Sequence, residues 1–85
     1  MKPGQCRAAR AMLGWSQMQL CEAAKVAKKT LVDFERGGSS PYPRTIAAMQ
    51  QALEAAGVEF IAENGGGAGV RMKTPQSSAK GSADA

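Results

Sequence analysis

The chain has 85 residues and a formal net charge of +4, which suits one small domain around a single core. It contains no histidine and only two cysteines, Cys6 and Cys21, so a histidine triad or a histidine-containing metal site is excluded, and two thiols alone cannot close a four-ligand zinc site. Aromatic residues are 5% of the chain against 44% hydrophobic, a composition rich in alanine that favours helices over strands.

A first helix is predicted over residues 5–13, where Cys6, Ala9 and Leu13 fall at i, i+3 and i+7 on one face. Arg7 and Arg10 are expected on a solvent face. Pro3 suits the approach to this helix and Gly14 its end. The second helix begins at Ser16, which forms an S-x-x-Q capping box with Gln19, while Trp15 and Leu20 have the spacing of a hydrophobic staple. Leu20, Ala23 and Ala24 make its apolar face. Lys25 is expected to end it in the left-handed region, at a cost of about 1 kcal/mol relative to glycine. The third helix is predicted from about Ala27 to Arg36, with Leu31 and Phe34 inward and Gly37 as its stop. It is poorly provided for in isolation. Ala27 is a weak N-cap, and Lys28 and Lys29 crowd the positive end of the helix dipole, where each costs roughly 0.3–1 kcal/mol at an exposed site.

Residues 37–43, GGSSPYP, read as a loop in which Pro41 or Pro43 opens the next helix. That fourth helix, from about Arg44 to Ala56, carries Ile46, Met49 and Leu53 on one face, and Gly57 stops it. The pattern then changes. Val58–Ile61 and Val70–Met72 suggest a short hairpin around the glycine-rich turn at 64–69, either folded back on its own core or pairing strands across a two-fold axis. Residues 73–85 have the small, polar composition of a disordered tail. The expected organisation is therefore residues 1–57 as one domain, 58–72 as an extension and 73–85 as a tail. No long apolar run marks a leader or membrane span, so the cytoplasm is the expected compartment, with both cysteines as buried thiols.

Charge is uneven along the chain. Residues 1–37 carry seven Lys/Arg against three Asp/Glu, whereas 38–85 carry four of each. A well-capped helix, a turn of about three residues, and a second short helix with few apolar residues give the spacing of two helices crossing steeply on one side of a core. The run LGWSQMQL…V…KKT…FERG resembles the helix-turn-helix of the Cro/CI-type (XRE, lambda-repressor-like) DNA-binding family. Ser16, Gln17, Leu20, Val26, Thr30, Leu31, Glu35 and Gly37 fall in register with that family's pattern. The resemblance extends over about residues 5–56. Lys25 stands where the family usually has glycine, Ala27 where it has a capping residue, and Cys21 where it has alanine.

The resemblance implies an all-α, four-helix lambda-repressor-like domain, here followed by the hairpin and tail. It also implies sequence-specific binding of double-stranded DNA, with the third helix in the major groove. On that footing the two lysines lie where a duplex brings acceptors: Lys28 and Lys29 can donate to guanine edges, Val32 or Thr30 can touch a thymine methyl, and Asp33 can accept from cytosine N4. Asp33 has a plain alternative, an i,i+4 pair with Lys29. Gln17, Thr30, Arg36 and Arg44 are the expected backbone contacts. A small regulator of this kind, read as a repressor, is expected to act as a homodimer on an inverted repeat. No catalytic, metal or cofactor site is expected. The rival reading is an antitoxin or interaction module that holds a protein partner through residues 57–85; a scaffold that no longer binds DNA is a third.

Overall fold

The computed structural model describes residues 1–38, 40–62 and 65–73. Four helices follow in order: α1 Pro3–Leu13, α2 Gln17–Ala24, α3 Lys28–Glu35 and α4 Pro43–Ala55. A two-stranded antiparallel sheet completes them, β1 Val58–Ile61 and β2 Gly69–Met72. The predicted tail lies, beyond Lys73, outside the described residues.

The helix ends follow local chemistry. α1 starts two residues earlier than the apolar spacing suggests, because Pro3 is itself in the first turn and the Gln5 side chain accepts the Lys2 backbone N–H at 2.8 Å. Gly14, at φ 70°, closes α1: its N–H donates to the Ala11 carbonyl and that of Trp15 to the Arg10 carbonyl. At α2 the capping box is reciprocal. The Gln19 N–H donates to Ser16 Oγ at 3.1 Å and the Ser16 N–H to Gln19 Oε1 at 2.7 Å. The same two-bond closure ends α3, where Gly37 donates to Phe34 O and Gly38 to Asp33 O, both at 2.9 Å. Pro43 opens α4.

Cys6, Ala9, Leu20, Cys21, Leu31, Phe34, Met49, Leu53 and Val58 form the buried core. Leu13, Trp15, Ala24, Val26 and Ile46 are packed against it and partly buried. One expected core residue is not there: Ala23 is exposed, whereas Cys21 is buried as expected. The core-facing stripe of α2 is Leu20 and Cys21 with the partly buried Ala24, at i, i+1 and i+4, because α2 packs against both α3 and α4 and needs a broader face than one row.

The hairpin pairs Val58 with Met72, Glu59 with Arg71, Phe60 with Val70 and Ile61 with Gly69. Opposed residues share a face. Val58, Phe60, Val70 and Met72 therefore turn inward onto the core, while Glu59 and Arg71 form an exposed ion pair at 3.0 Å on the other face. The sheet packs on α1 and α4, and Gln5 Nε2 donates to the carbonyls of Ile61 (3.3 Å) and Gly69 (2.9 Å). A lone two-stranded hairpin is marginal, and here one amide on α1 ties both strands to the helical body. The hairpin is thus folded back onto its own core.

Candidate nucleic-acid interface

Three residues separate α2 from α3. Lys25 sits at φ 58°, ψ 50°, the one non-glycine residue with positive φ among those described. Its N–H and that of Val26 both donate to the Cys21 carbonyl, so the chain reverses within one turn while Val26 packs against the core. Ala27 follows as an N-cap with no side-chain hydrogen bond. α3 buries Leu31, Phe34 and Glu35, spaced i, i+3 and i+4. That leaves Lys28, Lys29, Val32, Asp33 and Arg36 around the other side.

Lys28 is exposed and makes no hydrogen bond or ion pair among the described residues. Lys29 is 87% exposed along its side chain and reaches Asp33 Oδ2 at 3.4 Å. Asp33 also accepts from Arg36 Nη2 at 2.7 Å, so its carboxylate bridges two cations on one stripe. Thr30 and Val32 are half-buried. Lys25, Lys29, Thr30 and Asp33 line a groove of about 630 Å³ whose far wall is Ser40, Pro41, Tyr42 and Thr45. Tyr42 is 72% exposed, and the Arg44 guanidinium lies 5.9 Å from its ring centroid. The groove thus brings Lys29, Thr30 and Asp33 together, and Arg36 joins them through Asp33. Lys28, Val32 and Arg44 stand outside its lining, and Gln17 stands apart with Glu35.

The far end of α3 is arranged differently. Glu35 is buried, its side chain 4% exposed. Arg10 grips it with Nε on Oε2 at 2.7 Å and Nη2 on Oε1 at 2.8 Å, and Arg10 Nη1 donates to the Trp15 carbonyl at 3.0 Å. Cys6 Sγ donates to Oε2 at 3.2 Å and Gln17 Nε2 to Oε1 at 3.1 Å. Arg7 donates to the Glu35 backbone carbonyl. Burial alone would push the Glu35 carboxyl up; the hydrogen bonds from Arg10, Gln17 and Cys6, with the charge of Arg10, outweigh it and hold the carboxyl below its ordinary value. The Cys6 thiol is pushed up to about 12, by burial first and then by its bond to Glu35.

The solvent-face expectation is corrected here for Arg10; Arg7 stays exposed and reaches only the Glu35 backbone carbonyl. Arg10 lies at i+4 from Cys6 and i−3 from Leu13, on the core stripe of α1, and Glu35 lies on the core stripe of α3 beside Leu31 and Phe34. A carboxylate on one buried stripe and a guanidinium on another are obliged to meet, since either buried alone would be costly. That pairing was legible from the two periodicities taken together.

No helix among the described residues is long and apolar enough to cross a membrane. Among those same residues no cluster of three or more His, Cys, Asp or Glu is placed to hold a metal ion. A comparison with curated proteins finds no match. A family model described as helix-turn-helix matches residues 7–60, well over half the chain, from α1 through most of β1. Its members are DNA-binding regulators rather than enzymes. With α2, the three-residue turn and α3 inside the matched segment, the chain belongs to the Cro/CI-type (XRE) helix-turn-helix family and is a DNA-binding regulator of transcription.

Proposed function

We propose that this protein is a repressor that reads the major groove with α3 and binds an inverted-repeat operator as a homodimer, residues 1–57 being the reading unit. The observation that carries this reading is the state of the α3 N-terminus. Two exposed lysines occupy the positive end of an uncapped helix, where Lys28 has no anionic partner among the described residues. Local chemistry disfavours them there, and such violations gather where function demands them. Lys28, Lys29, Val32 and Asp33 are the base-contacting side chains in this reading, with Asp33 giving up a bridge to Lys29 or Arg36 as it engages a cytosine amine. Gln17, Thr30, Arg36 and Arg44 contact the backbone, Gln17 with a phosphate. A cytoplasmic setting suits the two free, buried thiols.

Dimerisation is proposed through the hairpin. Its inner face is already committed to α1 and α4, so the available elements are the strand edges and the exposed Ile61. One unit with a single eight-residue reading helix covers one half-site, and two-fold pairing doubles the contact. The rival role, a protein partner held through residues 57–85, would use those same edges. Selection of bound sequences from a random duplex pool tests the reading directly. A two-fold symmetric site with half-sites about one helical turn apart is expected, and enrichment of no sequence at all would overturn it.

A further inference from the structure

Glu35 ends α3 at the pole opposite the two lysines, and its two oxygens are filled by donors from two other helices: Arg10 twice, Cys6 and Gln17. An ionised carboxylate only accepts hydrogen bonds. It therefore dictates which end of the Gln17 amide faces inward, and that end is the nitrogen. Nε2 carries two hydrogens. One is committed to Glu35 Oε1 at 3.1 Å; the other takes no hydrogen bond among the described residues, on a side chain that is half-buried. Arg10 neutralises the carboxylate through both of its oxygens, so an approaching anion meets a donor without facing an uncompensated negative charge. The Gln17 amide is thus oriented before any ligand arrives, and its rotamer is not left to be ordered on binding.

We infer that Glu35 is a positioning residue for DNA binding: it holds the Gln17 amide by one N–H so that the other is presented to a phosphate oxygen. Cys6 and Arg10 complete the shell that keeps the carboxylate in place. This rests on the phosphate role proposed above for Gln17. The arrangement links the packing of α1, α2 and α3 to a backbone contact, and so acts on affinity for every sequence rather than on base preference.

A double-mutant cycle on duplex binding, read by fluorescence anisotropy with folding verified by circular dichroism, tests it. Glu35→Gln places a group at the site that can both donate and accept, and so frees the Gln17 amide to turn over. It is expected to weaken binding to specific and random duplexes alike by roughly three- to tenfold, and to have no further effect in the Gln17→Ala background. Equal losses in both backgrounds would overturn the positioning role while leaving the phosphate contact standing. If Gln17→Ala alone left affinity unchanged, the phosphate reading would fall and this inference with it. Should Glu35→Gln not fold, the side-chain amide resonances of Gln17 in the unaltered chain decide. One proton is expected to keep its hydrogen-bonded shift when duplex is added while the other moves. Loss of the Glu35-bonded signal on DNA binding would overturn the inference.

Discussion

The two ends of the eight-residue helix α3 obey opposite rules. At the C-terminal end every charge is answered: Glu35 is buried and met by Arg10, Cys6 and Gln17, and the last carbonyls are closed by Gly37 and Gly38. At the N-terminal end little is answered. Ala27 gives no cap, and Lys28 and Lys29 face solvent against the helix dipole. The contrast separates what holds the helix from what the helix offers. An anchored end sets the angle at which α3 leaves the core. The frustrated end gains partners when a polyanion arrives.

The largest effect expected is at the anchored end. Arg10→Met leaves Glu35 buried without its cation and should lower unfolding free energy by about 3–5 kcal/mol, measured by urea denaturation. A loss under 1 kcal/mol would show that the anchor is dispensable. At the frustrated end, Lys28→Ala or Lys29→Ala should each cost about 1–3 kcal/mol of discrimination between the selected site and a variant of it. Their effect on thermal stability should be neutral or slightly favourable. If the same variants lost stability and kept affinity, the two ends would have been assigned the wrong way round.

The contrast can be sharpened by repair. Ala27→Ser supplies the missing cap and should raise stability by about 1 kcal/mol; Lys25→Gly should relieve the left-handed residue by a similar amount. Both are read from thermal melts, and neither should change the preferred sequence. The smallest effects expected are in the pH profile. Because the folded state holds the Glu35 carboxyl low, its contribution is full above the unfolded value of about 4.3 and is lost as pH falls through the folded one. Cys6 acts in the opposite sense. Its folded pKa is raised to about 12, so stability is full below the unfolded thiol value of about 8.5 and declines as pH rises from there. Denaturation midpoints against pH should show a plateau between these limits, and Cys6→Ser should flatten the alkaline limb.

Much of this architecture was readable from short stretches. The capping box at Ser16 and Gln19, the left-handed Lys25, the uncapped Ala27 and the stop at Gly37 are decided within a few residues by backbone and side-chain chemistry. So is the run that carries the family resemblance. What escaped was the role of Arg7, Arg10 and Glu35. A single helical pattern treats a charged residue as a solvent residue, and only the meeting of two helices reveals that its charge is answered. Ala23 was misplaced for a related reason: the width and direction of a buried face depend on how many neighbours the helix touches.

The amino-acid order alone therefore determined how α2 is capped and where α1 and α3 stop, which spacing makes the helix-turn-helix, and that its second helix begins with two cations at the positive end of the dipole. Those are short-range matters, settled by hydrogen bonds and dihedral preferences within about one turn. Tertiary structure decided which face of the hairpin lies on the core, that Gln5 ties both its strands to α1, and that Glu35 gathers donors from α1 and α2. These depend on residues 18 to 64 positions apart, and the strength of a buried charge or an orienting hydrogen bond exists only once the surrounding chain has excluded water from it.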